Sequence, residues 1–459
     1  MRIRKYDHGF SRRAFMEKTA KGAIGAGVLT SLWPEIGRTA NIGKVYPDEL
    51  LSIELYTKGK IKPGDVLNPD NVEYVKDLLD PLAYMQVKTM GRKITIVETT
   101  KDVTKLHPHE FFEATLRNSG KAQFDANGNV WTTEGKPWIG GHPFPDAKTA
   151  EEAMANLSLS WGRHDESVYA VRDWDISPEG APSYEYDFVW AEQNTVGLVM
   201  DPATPYREGN EDKLRYQGVW FTSPTDTKGT AFLNTWQYDQ REFPDLVGYL
   251  PAFKRVRRFP TNQRFEPLVP GITFFLSDAW AAGDPYLTWG NYKIVGTQPL
   301  LGSVSGCWRG KKPNWQKDFH GGPQGRTFTE DFKELCPEVI VLEAEPTGYP
   351  RAPVGKKRVY VDVRNQMFVA YLTYDRRGEI WKSFEAGFSQ YVDGDKVQMD
   401  GKHPLWSWTH VHSHDIQSNR MSILMHMEEI TGGFRNEYNI GTDIYERYLT
   451  PQAIRRFGT

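Results

Sequence analysis

The segment KRVYVDVRNQMFVAYLTYDRRGEIWKSF, residues 357–384, contains three strand-like runs joined by two tight turns. The runs are residues 357–363, 367–374 and 379–384. They are rich in β-branched and aromatic residues, which are typical of strands. The turns, residues 362–365 and 375–378, contain the Asp, Asn and Gly residues that favour chain reversal. This pattern predicts neighbouring antiparallel strands joined by hairpins.

Similar runs recur on both sides of this segment. They are residues 184–190, 214–221, 229–237, 253–258, 339–344, 406–414 and 421–427. Many short strands joined by turns predict mainly antiparallel β structure, in one large sheet that is strongly curved or closed. Aromatic residues make up 13% of the chain, which fits a β-rich protein and leaves open an apolar cavity lined by their rings.

The earlier part of the chain has a different pattern. Short helical periodicities and a loop rich in Gly and Pro predict a mixed helix and loop region over residues 41–165, packing on the sheet. Residues 166–459 contain the predicted strands. We interpret the two parts as one continuous domain of the α+β class.

The composition excludes two classes of protein. The chain has 56 Lys and Arg residues against 59 Asp and Glu residues, a formal net charge of −3. Nucleic-acid binding needs a surplus of basic residues to neutralise phosphates, so no nucleic-acid partner is expected. A charged fraction of 25% without repeated long apolar runs is that of a globular protein, not of a polytopic membrane protein. Nucleotide-binding loops are missing as well, and no cofactor is expected.

Residues 1–40 have the pattern of an export signal. The run SRRAFMEK, residues 11–18, contains the pair Arg12 and Arg13, and a weakly apolar stretch follows it. This pattern predicts export by the twin-arginine route and a periplasmic location. Arg38 stands where a cleavage site needs a small residue, so cleavage of the signal is left open.

The chain has two cysteines, Cys307 and Cys336. In an oxidising compartment one disulfide could join them, worth about 3–4 kcal/mol on chain-entropy arithmetic. Nothing in the sequence sets the distance between the two residues, so their pairing stays open. Two cysteines are too few for a zinc or iron–sulfur site.

Three histidines, His410, His412 and His414, alternate along one predicted strand. Alternate residues of a strand share a face, so two of them could bind a metal ion. We favour a polar strand face without a metal, and a metal-dependent hydrolase is the alternative. Asp173 and Asp175 have the same spacing, and we interpret them as a solvated face rather than as an acid and a base.

The run FKRVRR, residues 253–258, contains the cations Lys254, Arg255, Arg257 and Arg258. So dense a group predicts a site for an acidic head group or for the acidic surface of a partner. The alternative is a cationic strand face that pairs with acids on neighbouring strands, such as Glu185 and Asp187.

Four stretches carry a resemblance to a known family. They are YLPAFKRVRR (249–258), WGNYKIVG (289–296), YDRRGEIWK (374–382) and LTPQAIRR (449–456). The chain resembles domain-of-unknown-function family 1329, a family of exported proteobacterial proteins, over most of residues 60–459. The signature residues, which are also candidates for lining a cavity, are Tyr249, Pro251, Trp289, Tyr292, Tyr374 and Trp381.

The resemblance implies a fold and a set of partners. The family is grouped with the Lol lipoprotein-sorting carriers, whose unclosed antiparallel barrel wraps over helices and holds acyl chains in its hollow. Family members are often encoded beside outer-membrane proteins and transporters of the resistance-nodulation-division type, which are the envelope partners to expect. No catalytic residues are established for the family. The twin-arginine signal and the histidine run are not family features.

Three functional hypotheses follow. The favoured one is a periplasmic carrier, not an enzyme, that binds a lipid-like or other hydrophobic molecule. A cavity would supply about 25 cal/mol for each Å² of apolar surface buried, and a fully packed interior would count against this hypothesis. The alternatives are a metal-dependent hydrolase built on the histidines, and a non-catalytic adaptor of an envelope transport system, which needs no ligand-sized cavity.

Overall fold

The computed structural model describes residues 32–439 and 444–457. Arg12 and Arg13 of the predicted export signal lie outside the described residues. No helix in the described ranges is long and apolar enough to cross a membrane. The α-helices are α1 (Trp33–Thr39), α2 (Ile53–Tyr56), α3 (Pro81–Met90), α4 (His109–Asn118), α5 (Ala150–Leu159), α6 (Ile444–Tyr448) and α7 (Pro451–Phe457).

Strands make up most of the remaining regular structure. They are β1 (Val66–Leu67), β2 (Ile94–Ile96), β3 (Ala122–Phe124), β4 (Val130–Thr132), β5 (Glu166–Ile176), β6 (Pro182–Asn194), β7 (Lys213–Ser223), β8 (Ala231–Gln237), β9 (Asp245–Leu250), β10 (Arg255–Arg258), β11 (Gly290–Gly302), β12 (Asp331–Glu345), β13 (Val354–Asp362), β14 (Met367–Asp375), β15 (Ile380–Gln390), β16 (Val392–Asp393), β17 (Lys396–Val397), β18 (Met399–Asp400), β19 (His403–Pro404), β20 (Trp406–Asp415), β21 (Arg420–His426) and β22 (Glu437–Tyr438).

In the described part of the chain, sixteen strands form one sheet. Its order is β1-β2-β12-β13-β14-β15-β20-β21-β5-β6-β7-β8-β9-β10, with β11 beside β12 and β22 beside β5. Neighbours are antiparallel except for β2 and β12, which are parallel. Within the described ranges β1 and β10 are the two ends and do not pair, so the sheet curves without closing into a barrel. The predicted α+β fold with a large, unclosed antiparallel sheet is confirmed.

Residues 357–384, with the three predicted runs joined by two turns, form three adjacent strands of this sheet, β13, β14 and β15. Asp375 holds the β14–β15 turn, because its Oδ1 accepts hydrogen bonds from the backbone N–H groups of Arg377 and Glu379 at 2.8 and 3.0 Å. Gly378 in the same turn has a φ of 84°, which glycine adopts without a steric penalty.

Apolar side chains are buried on both faces of the sheet. The concave face encloses helix α5 and an irregular segment, residues 269–283. The convex face packs against α6 and α7, where the ring of Trp220 stacks on those of Tyr448 and Phe457. Because both faces are covered, strands such as β12 are buried along nearly their whole length, instead of alternating between core and solvent.

Residues 41–165 contain helices α2 to α5 and strands β1 to β4. Strand β2 joins the sheet beside β12, so this region takes part in the sheet as well as packing on it. Helix α5 begins with a capping box in which Thr149 and Glu152 satisfy each other's backbone N–H groups. Its residues Ala153, Met154 and Leu157 belong to the concave core.

A β-bulge in β20 changes the face on which its side chains lie. Gly387 of β15 pairs with His410 whereas Phe388 pairs with Trp408, so Thr409 is the extra residue. Before the bulge, Trp408 belongs to the concave core. After it the alternation is reversed, and the histidines lie on the opposite side of the sheet.

Candidate functional site

The hollow of the sheet is filled by residues 269–283, which we call the plug. The plug has no strand and one short 3₁₀ stretch, Leu276–Ala281. Its buried apolar residues are Val269, Ile272, Phe274, Phe275, Leu276, Ala279, Trp280, Ala281 and Ala282. They follow one another without the alternation of a strand because the sheet and α5 surround the plug.

Trp280 stands at the centre of the hollow. Its ring centroid lies 5.5–6.4 Å from those of Trp161, Trp190, Phe368, Phe388 and Trp408. An apolar void of about 10 Å³ remains between Trp280 and this wall, room for about one water molecule. The structure therefore differs from the predicted open cavity, because part of the chain itself occupies the space.

The tip of the plug has an uncommon backbone conformation. Trp280 and Ala281 have φ angles of 52° and 58°, in the left-handed region. That conformation costs a non-glycine residue about 1 kcal/mol or more, and persists where the surroundings impose it. At Gly283 a Cβ would clash with the carbonyl oxygen of Leu276, so glycine lets the plug fold back on itself. The conformation of the plug thus depends on the walls around it.

Polar contacts join the plug to the sheet. Lys382 Nζ on β15 donates a hydrogen bond to Asp278 Oδ2 at 2.6 Å. Tyr371 OH on β14 donates to the other carboxylate oxygen of Asp278, also at 2.6 Å. Lys357 Nζ on β13 donates to the carbonyl oxygen of Ala281 at 2.8 Å. Three adjacent strands therefore each supply one donor to the plug.

Burial shifts the pKa values of these donors. It lowers the pKa of Lys357 to about 8. Burial also lowers the pKa of Lys382, and the negative charge of Asp278 opposes this shift. For Tyr371, burial and then the charge of Asp278 raise the pKa of the phenol. The two ammonium groups lie in a hydrophobic environment where oxygen atoms of the plug stabilise them.

A pocket of about 390 Å³ opens beside the first part of the plug. Gly271, Thr273 and Phe275 of the plug line one side, and Asp415 and Arg420 of the β20–β21 hairpin line the other. Small-molecule sites usually measure about 300–1,000 Å³, so this pocket is of ligand size.

Asp173 and Asp175 lie next to this pocket, and a Cβ on Gly271 would stand 2.8 Å from Asp175 Oδ2. Both carboxylates are fully buried, so the interpretation as a solvated face is wrong. The reason is that this end of β5 is covered on both faces. Burial raises the pKa of Asp175 to about 7. Burial and the neighbouring Asp175 charge raise the pKa of Asp173.

The four predicted docking cations lie at a free edge of the sheet. Arg255, Arg257 and Arg258 belong to β10, and Lys254 precedes them; all four are exposed. The guanidinium of Arg257 lies 4.1 Å from the ring centroid of Phe253, which is 50% exposed.

The two acids expected as partners for these cations pair with a different residue. Glu185 and Asp187 on β6 both pair with Arg172, at 3.3 and 2.6 Å. β10 pairs with β9 instead, and there Arg258 contacts the exposed Asp245 at 3.1 Å. Glu185 and Asp187 are therefore not the partners of these cations, whereas the pair of Arg258 and Asp245 fits the alternative of pairing with an acid on a neighbouring strand.

The signature residues divide into two groups. Trp289, Tyr292 and Trp381 lie in one apolar cluster with Phe275 of the plug, and the ring centroid of Trp381 is 5.9 Å from that of Phe275. The other three do not. Tyr374 lies on the opposite face of the sheet, where Lys356 Nζ is 4.6 Å from its ring centroid. Tyr249 lies in the convex core, and Pro251 begins the 3₁₀ helix Pro251–Phe253.

His410, His412 and His414 share one face of β20, which is turned away from the plug. His410 lies 3.1 Å from Thr409 Oγ1 through Nδ1 and 3.5 Å from Asp331 through Nε2. His412 lies 2.8 Å from Thr329 Oγ1, and His414 lies 3.0 Å from Gln86 Nε2. Within the described ranges no group of three or more His, Cys, Asp or Glu residues could hold a metal ion. Burial lowers the pKa of His414 to about 4 and that of His412 well below its usual range.

A buried ionic cluster lies beside these histidines. Arg92, which follows helix α3, donates to Asp331 on β12 and Glu385 on β15, at 2.7 and 2.5 Å. Lys333 lies 3.3 Å from Glu385. Burial would raise the pKa of Asp331, but Lys333, His410 and Arg92 together hold it well below its usual range. The cluster neutralises its own charges and joins the N-terminal region to the sheet.

Cys307 and Cys336 are free thiols in this structure, and both are buried. Burial raises the pKa of each thiol well above its usual value, which keeps it protonated.

Sequence reasoning missed the plug. The run GITFFLSDAWAA, residues 271–282, fits neither the period of a strand nor that of an exposed helix. An apolar run without alternation is the signal that could have identified a segment enclosed on all sides.

The fold and the site together define an unclosed antiparallel β-barrel whose hollow holds a segment of its own chain. The chain belongs to the family described as protein of unknown function DUF1329, whose family model matches residues 66–455. The family membership expected from the sequence motifs is thereby confirmed.

Solved structures with a similar fold share little sequence with this chain. A DUF1329 family protein from Desulfovibrio piger is 13% identical, with a TM-score of 0.44, and the match covers 66% of this chain and 97% of that one. A protein domain assigned to outer membrane lipoprotein sorting, from Vibrio parahaemolyticus, is 17% identical with a TM-score of 0.43, covering 67% and 99%. A LolA superfamily protein from Nitrosomonas europaea is 13% identical with a TM-score of 0.39, covering 66% and 98%. No curated protein matches the chain significantly.

Proposed function

We propose that the protein is an exported carrier that binds a hydrophobic molecule in the hollow of its sheet, in the space that the plug occupies in this structure. The observation that carries this proposal is that the residues that fill the hollow do not belong to the strands of the sheet. Trp280 and its neighbours belong to an irregular segment between β10 and β11 rather than to the strands. The plug can therefore leave the hollow while the hydrogen-bond ladders of the sheet stay intact.

When a ligand replaces the plug, the apolar burial that the ligand gains would offset the apolar burial that the plug loses. A ligand that covers the rings around Trp280 would regain the apolar burial that the plug gives up, at about 25 cal/mol for each Å². The left-handed residues Trp280 and Ala281 would relax when the plug leaves. The pocket of about 390 Å³ beside Gly271 and Phe275 is the point at which a ligand would enter.

The exposed edge of the sheet supports a proposal about docking. Arg257 lies over the exposed ring of Phe253, and Lys254, Arg255 and Arg258 are exposed beside it in the chain. Cations beside an exposed aromatic ring fit the surface of an anionic membrane, where the charges meet lipid head groups and the ring enters the interface. We propose that the carrier docks there on its way between an envelope transporter and an outer-membrane protein, after twin-arginine export to the periplasm.

The test is to identify what the protein carries. The chain is purified from its native host without detergent, and the bound material is extracted into organic solvent and analysed by mass spectrometry. We expect a stoichiometric hydrophobic compound that is absent from a mock purification. An empty protein that also fails to take up any apolar probe would contradict the proposal.

The filled hollow favours a second candidate, a non-catalytic adaptor that joins envelope proteins by surface contacts alone. An adaptor keeps the plug in place, and so predicts stable protein partners in cross-linked cell envelopes and no extractable ligand. The same extraction therefore separates the two functions. For a metal-dependent hydrolase the described residues offer no supporting geometry, because each histidine of the run already has another polar partner.

A further inference from the structure

Three neighbouring strands bring two lysines and a threonine into one row on the concave face. Lys357 on β13 pairs with Thr373 on β14, and Thr373 pairs with Lys382 on β15. Directly paired residues share a face and have Cβ atoms about 4.5–5.5 Å apart. The row Lys357–Thr373–Lys382 therefore faces the plug as one polar patch in a largely aromatic hollow.

This patch has the chemistry of an anion site. Lys382 Nζ and Tyr371 OH each bind a different oxygen of the Asp278 carboxylate, both at 2.6 Å. Between the two lysines, Thr373 Oγ1 is buried and has no hydrogen-bond partner among the described residues. Buried hydroxyl groups are nearly always hydrogen-bonded, so this one is a donor available for a further oxygen atom.

Departure of the plug would remove the counter-ion. Asp278 belongs to the plug and leaves with it, whereas Lys357 and Lys382 belong to the sheet and stay. The two ammonium groups would then lose Asp278 in an apolar hollow, which is costly. Two other acids act on them from outside the plug, but Asp284 already pairs with Arg264 at 2.6 Å, and Asp415 accepts backbone hydrogen bonds in the β20–β21 hairpin. Asp175 is not among the acids that act on either lysine, and one of its carboxylate oxygens accepts a hydrogen bond from Ser422 on β21. A neutral ligand would leave the charges unpaired, and an acidic one would replace Asp278.

We infer that the ligand of the hollow is an amphiphile with a carboxylate head group, which binds Lys357, Tyr371, Thr373 and Lys382 in the place of Asp278. The inference rests on the proposed function and names the ligand class of that same site. A carboxylate fits because the group that it replaces is itself a carboxylate, with one donor on each oxygen. The apolar body of the ligand then lies against the rings that surround Trp280.

The test compares three probes on the full chain after removal of bound lipid: a fluorescent dodecanoate, its methyl ester and the corresponding dodecyl phosphate. We expect the acid to bind at least about tenfold more tightly than the ester, as the loss of one charge-assisted hydrogen bond would produce. Lys382→Met should weaken binding of the acid about tenfold and leave the ester unchanged. Asp278→Asn, which removes the competing carboxylate, should strengthen binding of the acid.

Lys356→Met is the matched control. Lys356 is the chain neighbour of Lys357, but its Nζ pairs with Glu343 at 2.9 Å on the opposite face of the sheet. This variant should bind all three probes as the wild type does.

The outcomes separate the two proposals. Equal affinity of the wild type for the acid and the ester would overturn the carboxylate inference and leave the carrier function standing. Because this comparison uses only the wild type, a variant that fails to fold cannot obscure it. Tighter binding of dodecyl phosphate than of dodecanoate would overturn the inference in favour of a phosphate head group. Binding of none of the three would overturn the carrier function and the inference together.

Discussion

The imidazole ring of His410 lies directly over Gly387, its cross-strand partner. A Cβ built on Gly387 would stand 2.5 Å from His410 Nδ1 and closer still to Cε1. The ring occupies the space of a missing side chain and from there comes within 3.5 Å of Asp331 in the buried ionic cluster. The face of β20 that carries the histidines is thus closed by packing, on the side opposite to the plug.

Gly387→Ala should lower the free energy of unfolding by about 2 kcal/mol or more, because the added methyl group displaces the imidazole in a packed core. Urea denaturation followed by tryptophan fluorescence measures the effect. Gly37→Ala is the control: its nearest contact would be an ordinary 3.7 Å from Leu116, and alanine favours the helix. Equal stability of the two variants would show that the contact between Gly387 and His410 is not restrictive.

Trp280→Ala should open the hollow to apolar ligands. Removing the ring leaves a cavity lined by aromatic side chains, so unfolding should become easier by about 3–5 kcal/mol, while binding of a neutral apolar dye increases. Both are measured on one preparation, by denaturation and by dye titration. Trp220→Ala removes an equally large buried ring from the convex core, and should lose stability without gaining dye. A gain of dye binding in both variants would point to general loosening instead.

Asp175→Asn should flatten the dependence of stability on pH between about 4 and 7. The folded-state pKa of Asp175 is raised to about 7, above the ordinary value of about 3.9. In this window the folded chain keeps a proton that the unfolded chain has lost, so the stability of the wild type falls as the pH rises. Relative to the wild type, the variant should therefore be more stable at pH 7.5 than at pH 4.5.

Urea titrations at those two pH values check this prediction. Asp70→Asn, at an exposed position, is the control and should change stability equally at both. A constant difference between Asp175→Asn and the wild type across the range would contradict the raised pKa.

Replacing Arg255 and Arg257 by Gln should weaken binding to anionic vesicles by about 1 kcal/mol for each charge removed. Co-sedimentation with vesicles that contain phosphatidylglycerol measures the affinity at low and at high salt, and the difference between variant and wild type should shrink at high salt. Arg376 and Arg377, at the β14–β15 turn, supply the control pair for the same replacement. If that pair lowers binding as much, the attraction is general and not a property of the β10 edge.

Local sequence was sufficient for most strands of the sheet, although β5, β9 and β11 lie outside the predicted runs. The hairpins of residues 357–384 and the turn at Asp375–Gly378 depend on side-chain alternation and turn chemistry within a few residues. The exposed cations at 254–258 could be located in the same way. The register between strands could not, because a single β-bulge at Thr409 reverses the faces of β20.

What fills the hollow could not be predicted from the local sequence. The aromatic composition suggested a cavity, but it does not say whether a ligand or the chain itself fills it. The burial of Asp173 and Asp175 was missed for a related reason: their alternation is the same in a solvated face and in a covered one, and only the packing of residues 269–273 above them distinguishes the two.

By itself, then, the sequence determined most of the strands, the hairpins, the run of cations at 254–258 and the family, because each of these follows from residues that are close together in the chain or from a motif. The tertiary structure alone decided that residues 269–283 fill the hollow and that Lys357, Thr373 and Lys382 form one row against Asp278. The physical reason is that burial and cross-strand pairing join residues far apart in the chain, and the environment of a charge depends on the neighbours that folding brings to it.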